Sequence, residues 1–266
     1  NILGFTSYMP GRLAGFLDDE LKIGGYYLGF GLISIATLYN YSEKKSYLIP
    51  IIVIILIIVS FLIGERSNFI KFFIIIILFT IIIYRKKIFN YLIVFIALIL
   101  VLCGLMFKNE NLKYRYLEQI NYSKISESLY FQHYKIAISV FKENPYFGVG
   151  IKNFRNEIVK EKYISNKDWN NRHILSTHPH QINFEILTET GVFGFLCYLI
   201  FFLLSFFKTS KIYFKNKNIF LLSAFLFCTI YLNPILPSGS FFTTYSATIF
   251  WVNFAILITF AKYIKK

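Results

Sequence analysis

The segment STHPHQINFEILTETGVFGFL, residues 176–196, organises the rest of this chain. It begins with a histidine on either side of Pro179, continues in helical spacing, and ends in a glycine pair that opens an apolar run. Proline suits the first turn of a helix, so the pattern predicts a helix that starts there and includes His180. One face of that helix carries a polar row, Gln181, Glu185 and Glu189. The same pattern is typical of a polar helix cap at a membrane surface, so both interpretations stay open at this point.

Composition indicates an integral membrane protein. The 266 residues are 56% hydrophobic and 20% aromatic, well above the apolar share of ordinary soluble domains. In such a protein the net charge of +14 favours membrane lipids and lipid-linked phosphates as partners and does not indicate nucleic acid. The three cysteines lie inside apolar runs, so we expect them to form neither a disulfide nor a metal site.

The apolar runs predict an all-α integral membrane bundle with about seven transmembrane helices. Their ranges are 23–41, 47–63, 69–84, 88–107, 191–207, 219–236 and 242–261. The polar residues 108–190 hold all four histidines and should form a helical loop domain, with one helix over 126–143 that stops at Asn144-Pro145. The predicted division is therefore a membrane part at 1–107, the loop domain at 108–190 and a second membrane part at 191–266. Lysine-rich short loops at 44–45, 85–87, 208–217 and 262–266 would all be cytoplasmic, which places the loop domain outside.

Charged residues near the predicted spans are the candidates for chemistry. Arg66 lies between two apolar spans, where a charge is functional by default or else snorkels to the interface; Arg12 lies in a loop, where most arginines are simply solvated. A guanidinium can hold phosphate oxygens with two parallel hydrogen bonds, and His180 can accept a proton at neutral pH. Together they suit the displacement of a lipid-linked diphosphate by an acceptor hydroxyl.

Other patterns in the sequence give weaker indications of chemistry. Asp18 and Glu20 could bind a divalent metal, but a single D-x-E is more often a solvated pair, and we predict no metal or other cofactor. The sequence contains no Walker loop, GxSxG or HExxH motif. The remaining histidines, His133, His173 and His178, are of a kind more often structural than catalytic.

An ordered set of motifs resembles the signature of the O-antigen ligase and polymerase superfamily, bacterial membrane enzymes that transfer glycans from undecaprenyl diphosphate. The central piece is Thr177–Gln181 continuing to Glu189–Gly194, with Gln181 where the family usually has Asn. The other pieces, in the family's order, are Arg12–Gly15 with Asp19–Leu21, Gly64–Ser67, Glu143–Phe154 and Pro237–Phe242. The match covers nearly the whole chain. Family members usually have about a dozen spans, so the resemblance implies that several N-terminal helices are missing from this sequence.

The resemblance implies a metal-independent glycosyltransferase of the GT-C type, in the bacterial inner membrane with a periplasmic active face. His180 would match the family's catalytic base, and Arg66 and Arg12 its diphosphate-contacting arginines. His178, Gln181 and Glu189 would contribute to substrate binding. The donor would be an undecaprenyl-diphosphate glycan and the acceptor lipid A–core sugar, as in a ligase.

Alternatives remain. A polymerase of the same superfamily would use another lipid-linked glycan as acceptor. A polysaccharide or ion transporter would also place charges in the membrane, but the sequence has no internal repeat and its polar residues gather on one face. A third possibility is that only a longer form of the chain is active.

Overall fold

The computed structural model describes residues 9–15, 21–41, 48–119, 128–163 and 176–263. All regular secondary structure in these ranges is helical. The helices are α1 (Ile23–Tyr41), α2 (Leu48–Leu62), α3 (Arg66–Ile83), α4 (Ile88–Lys108), α5 (Glu110–Lys113), α6 (Leu129–Glu143), α7 (Phe154–Glu157), α8 (Ile182–Asn216), α9 (Ile219–Tyr231) and α10 (Thr244–Tyr263). A π-helical turn at Tyr114–Glu118 follows α5.

Four helical segments are long and apolar enough to cross a membrane: Arg66–Ile83, Arg85–Lys108, Ile182–Asn216 and Thr244–Tyr263. The chain is therefore a multi-pass helical membrane protein. Helices also form at the other three predicted positions, but α2 has 15 residues and α9 has 13, below the length that about 30 Å of hydrocarbon requires. Seven spans stay a prediction.

The chain divides into two compact units. The first comprises residues 1–122, 212–230 and 252–266, and the second comprises residues 123–211 and 231–251. Each is described by itself below. The three-part division of the chain stays a prediction.

In the first unit, α1 packs against α2 and α3 through small residues. A Cβ atom at Gly31 would approach the Phe72 ring to 2.6 Å, so glycine lets these helices come close. The Asn253 side-chain amide donates to the Gly29 carbonyl at 3.0 Å and ties α10 to the same helix. Interhelical hydrogen bonds of this kind are common where no water competes.

In the second unit, α6 and α7 share a small core of Ile136, Ala137, Val140, Phe154 and Ile158. The hydroxyl of Ser128 caps α6 by accepting from the Phe131 N–H. The helix ends at Glu143, as predicted, because the residue before Pro145 is disfavoured in helical conformation. Its predicted first residues, 126 and 127, lie outside the described ranges.

The start of α8 differs from the prediction. We predicted that Pro179 would lie in the first turn, with His180 already helical, but α8 begins at Ile182. His180 instead adopts a left-handed backbone, with φ of 56°. The reason is that the side chain of Gln181 caps the helix, with Oε1 accepting the N–H groups of Asn183 at 2.6 Å and Phe184 at 3.2 Å.

Gly191 interrupts α8. Its φ of 66° and ψ of −171° are not helical, so backbone groups on both sides lose their helical partners. Residues 145–150, which we call the glycine turn, supply replacements. The N–H groups of Val149 and Gly150 donate to the carbonyls of Thr188 and Glu189, at 3.0 and 2.9 Å.

The same turn also accepts hydrogen bonds from the residues after the break. The N–H groups of Val192 and Phe193 donate to the carbonyls of Pro145 and Tyr146, at 2.8 and 3.4 Å. A Cβ atom at either Gly148 or Gly191 would overlap the facing backbone, so both positions require glycine. The glycine turn and the break at Gly191, some 40 residues apart in the sequence, are therefore one hydrogen-bonded structure.

Candidate functional site

Three histidines of the second unit meet at the start of α8. The His180 ring lies 4.3 Å from that of His178 and 5.0 Å from that of His133, measured between centroids, and nearly parallel to the latter. Tyr130 approaches His180 edge-on at 5.6 Å. Nε2 of His180 is 3.1 Å from the Ser176 hydroxyl. The predicted base is thus packed among aromatic rings, with one ring nitrogen hydrogen-bonded.

Burial keeps two of these histidines, His178 and His180, uncharged. Desolvation is the main cause that lowers the pKa of His180 to about 3, and the neighbouring histidines lower it further. The pKa of His178 falls to about 4, again mainly through burial, with smaller contributions from His133 and Arg155. Both imidazoles are therefore neutral at neutral pH, the form in which a histidine can accept a proton.

The backbone of His180 is held from the residues after α9. Residues 232–241, which we call the small-residue bend, contain Ser238, whose N–H donates to the His180 carbonyl at 2.8 Å. The hydroxyl of the same serine accepts the Ile182 N–H at 2.9 Å. One serine therefore contacts the chain on both sides of Gln181. A left-handed conformation is uncommon in residues other than glycine, although histidine adopts it more often than most, and the two contacts of Ser238 hold the chain around His180 in it.

Two polar side chains, one just before α8 and one within it, hold the same bend. Gln181 is 1% exposed and donates from Nε2 to the Asn233 carbonyl at 2.9 Å, in addition to capping α8. Glu185 is 2% exposed and accepts from the Ser240 hydroxyl and, at 2.6 Å, from the Phe241 N–H. These contacts make Gln181 an anchor of the site; its predicted contact with substrate stays a prediction.

Glu189 holds the short segment that connects the glycine turn to α7. Its carboxylate accepts from the N–H groups of Lys152 at 2.6 Å and Phe154 at 3.3 Å. Lys152 has a left-handed φ of 60°, like His180, so this contact also stabilises an uncommon backbone. The exposed Arg155 that follows exerts an electrostatic influence on Glu189. The substrate contact predicted for Glu189 stays a prediction.

The first unit contains a cluster of charged residues around Gly64–Arg66, which we call the arginine loop. Glu65 is 8% exposed and accepts from the Gly24 N–H at 2.9 Å and from Asn68 Nδ2 at 2.6 Å. Arg12 lies 3.9 Å from the same carboxylate and donates to the Leu21 carbonyl at 2.8 Å. Burial nevertheless outweighs these partners and raises the pKa of Glu65.

Arg66 is the first residue of α3, three residues before the predicted start of that span. Its guanidinium donates to the Arg115 carbonyl at 3.1 Å. Arg115 also donates to the arginine loop, from its Nε to the Gly64 carbonyl at 3.0 Å. A Cβ atom at Gly64 would overlap the Gly11 carbonyl, so the segment carrying Arg12 also lies directly against the loop.

The structure thus groups the predicted site residues into two sets. His178, His180, Gln181 and Glu189 belong to the second unit, and Arg12 and Arg66 belong to the first. Asp18, Glu20 and His173 lie outside the described residues. Among the described residues, no group of three or more His, Cys, Asp or Glu side chains is arranged to hold a metal ion.

Sequence reasoning missed several contributors. Arg115 has no motif around it, and it reaches Arg66 across 49 residues. Glu185 was visible only as part of a polar helix face, and nothing in the sequence paired it with Ser240. His133 looked structural, because its place beside His180 depends on how α6 folds back.

Comparison with known proteins adds the family. The model of the O-antigen ligase family matches residues 27–199, well over half of the chain. No individual curated protein matches it. The family comprises glycosyltransferase-like ligases and polymerases, which implies a lipid-linked glycan and an acceptor as partners in general terms. The family match and the apolar helices agree with one another: the chain is a multi-pass membrane protein that belongs to the O-antigen ligase family.

Proposed function

We propose that this protein transfers a glycan from undecaprenyl diphosphate to an acceptor hydroxyl, with His180 as the general base. The observation that carries the proposal is the placement of His180: an imidazole that is hydrogen-bonded to Ser176 and held on a left-handed backbone, at the position where the family motif has its histidine. Uncommon backbone conformations concentrate at functional sites. A helix cap alone would not require one, since Gln181 already performs that role.

His180 accepts the proton of the acceptor hydroxyl as its oxygen forms a bond to the anomeric carbon of the donor glycan. The bond from that carbon to the diphosphate oxygen breaks, and the polyprenyl diphosphate leaves with the electron pair. If Nε2–H donates to Ser176, the lone pair on Nδ1 is available for the proton. Ser176 would then set the tautomer of the base.

Arg66 and Arg12 bind the diphosphate and stabilise the charge that develops on it. Their own contacts support this role, because both donate to backbone carbonyls that orient them, and Arg12 is 20% exposed at its side chain. Gln181 and Glu189 act by holding the segments on either side of the histidines, and His178 lines the site beside the base.

The finer assignments are part of the same proposal. The protein has seven spans in a GT-C-like arrangement, lies in the bacterial inner membrane, and works at the periplasmic face with lipid A–core sugar as acceptor and without a metal. A polymerase would share every residue named above and differ in its acceptor.

Glycan transfer by the complete chain in proteoliposomes tests the proposal. Undecaprenyl-diphosphate glycan is the donor, and lipid A–core and a second lipid-linked glycan are offered separately as acceptors, each with and without a chelator. We expect transfer to survive chelation. The substitution His180→Ala should reduce it at least about a hundredfold, the low end for a positioned base.

Ser139→Ala is the matched control, since this exposed serine lies on α6 of the same unit and its hydroxyl only contacts the preceding turn. Transfer to lipid A–core identifies a ligase, and transfer to the lipid-linked glycan identifies a polymerase. Full activity of both His180→Ala and Arg66→Ala would overturn the mechanism. Movement of glycan across the bilayer without a new glycosidic bond would instead indicate a transporter.

A further inference from the structure

Three large aromatic side chains are exposed together on the second unit. Tyr146 is 64% exposed, Phe147 78% and Phe193 52%. The rings of Tyr146 and Phe147 pack on that of Phe193, at centroid distances of 6.3 and 5.5 Å. We call these three residues the aromatic patch. Two of them belong to the segment 108–190, and a contiguous exposed apolar cluster of this kind marks a binding surface.

The position of the patch along the chain is fixed by the break in α8. The apolar run of the candidate span carries no charged side chain between Gly191 and Phe207, whereas Glu185 and Glu189 lie just before it. The boundary between the polar and apolar parts of α8 therefore falls at Gly191. Phe193 lies two residues past that boundary, and the glycine turn is hydrogen-bonded on both sides of it.

We propose that the aromatic patch is a membrane-interface anchor that inserts into the outer edge of the bilayer next to α8. Aromatic rings concentrate at the boundary between hydrocarbon and head groups, where an apolar body and a polar tip are both accommodated. Tyr146 has that amphipathic character, and Phe147 is more exposed to its surroundings than any other member of the patch. The proposal does not depend on glycosyl transfer.

Lipid is the occupant that the contacts favour. The patch is continuous with the lipid-facing surface of a candidate span, because Phe193 and the next exposed residues of α8, Leu196 and Ile200, follow in helical spacing. Backbone hydrogen bonds and the Gly148–Gly191 contact hold the turn rigidly at that height. A turn pinned at the end of an apolar helix shares that helix's surroundings.

Depth-dependent fluorescence quenching tests the proposal. The variant Phe147→Trp is placed in nanodiscs of phosphatidylethanolamine and phosphatidylglycerol that carry nitroxide labels either near the lipid ester groups or near the chain ends. The wild-type emission, from Trp169 and Trp251, is subtracted. We expect quenching by the shallow label to exceed that by the deep label by about twofold, as for aromatic residues at the interface.

Asn156→Trp is the matched control, because this residue is exposed on α7 of the same unit and lies between the charged residues Arg155 and Glu157. It should be quenched weakly by both labels. Phe147→Trp conserves an aromatic ring, and a melting temperature equal to that of the wild type confirms that the variant folds. Quenching of Phe147→Trp no stronger than that of Asn156→Trp would overturn the proposal. So would quenching that appears only at high protein density, which would indicate a second copy of the chain on the patch.

Discussion

The arginine loop and the histidine cluster are both polar groups next to apolar helices, yet they are stabilised by different means. The arginine loop is charged: Arg12 lies 3.9 Å from the carboxylate of Glu65, and the guanidinium groups of Arg66 and Arg115 donate to backbone carbonyls beside it. The histidine cluster is neutral, because burial keeps His178 and His180 unprotonated. The first arrangement suits an anionic ligand, and the second suits the removal of a proton.

The two regions also differ in how the backbone is held. In the arginine loop, charged side chains donate to carbonyl groups, as Arg115 does to Gly64. Around His180, neutral serine, glutamine and backbone groups perform this role, with Ser238 as the central contact. The comparison teaches that a site for a charged group can be preorganised by charged side chains, whereas the backbone at His180 itself is held by neutral groups.

Substitutions at two tightly packed glycines, one in the glycine turn and one in the arginine loop, should give the largest effects on stability. Gly148→Ala places a Cβ atom against the backbone of Glu189 and forces a φ of 67° on alanine, so we expect the protein to lose about 3 kcal/mol of stability. Gly64→Ala should behave alike in the arginine loop. Thermal unfolding in nanodiscs measures the change. Gly104→Ala is the control, because nothing lies within 4 Å of its new Cβ atom; equal melting temperatures for Gly148→Ala and Gly104→Ala would contradict the prediction.

A charge-conserving substitution tests whether the arginine loop works through geometry or through charge alone. Arg66→Lys keeps the positive charge but loses the planar fork, so we expect the KM for the lipid-linked donor to rise about tenfold while kcat changes less. Steady-state transfer at varied donor concentration provides the measurement. An unchanged KM would mean that charge alone suffices at this position.

Acid should affect the two regions in opposite directions. The histidine pKa values of about 4 and 3 lie below the ordinary 6.5, so the unfolded chain takes up protons first and the stability of this region falls as the pH drops below about 6.5. Burial raises the pKa of Glu65, so the folded arginine loop takes up its proton first and gains stability as the pH falls towards 4.5.

Hydrogen exchange between about pH 7 and pH 5, corrected for intrinsic rates, separates the two effects. The Asn183 N–H, which donates to the Gln181 side chain, should lose protection by about 2 kcal/mol over this range for each histidine that opening exposes to water. The Gly24 amide, which donates to Glu65, should keep or gain protection. Parallel loss at both amides would show that the two regions respond to pH as one.

The smallest effect is expected from a single hydroxyl. Ser238→Ala removes the acceptor of the Ile182 N–H and should weaken the anchor of His180 by about 1 kcal/mol, which lowers kcat severalfold and leaves the donor KM unchanged. Ser223→Ala is the matched control, since the hydroxyl of this buried serine also makes a hydrogen bond, but as a donor to the Ile219 carbonyl within α9. A rise in KM with constant kcat would contradict a role through His180.

The helices and the motif residues could be predicted from the sequence, because both depend on local patterns. The helix over 129–143 ends where Pro145 requires, and the family resemblance is confirmed by the match over residues 27–199. The conformation of His180 could not be predicted. It depends on Ser238, 58 residues away, and the spacing rule for proline contains no information about such a contact.

The sequence also did not predict which groups the charged side chains contact. Arg66 appeared to be alone between two spans, but its carbonyl partner belongs to Arg115 in the segment after α4. Glu65, its immediate neighbour in the chain, is buried although it lies in a short loop between two helices. Long-range hydrogen bonds decide these roles, and only a folded chain brings the partners together.

The break at Gly191 has a consequence for how the protein is made. A spanning helix needs all of its backbone groups paired before it enters hydrocarbon, and the carbonyls and N–H groups around Gly191 are paired by the glycine turn. That turn precedes α8 in the chain, so the ribosome delivers it before the helix that depends on it. The order of synthesis therefore lets α8 acquire its missing partners as it emerges, and moving the turn to a later point in the chain would leave the nascent helix with unpaired groups at its entrance to the bilayer.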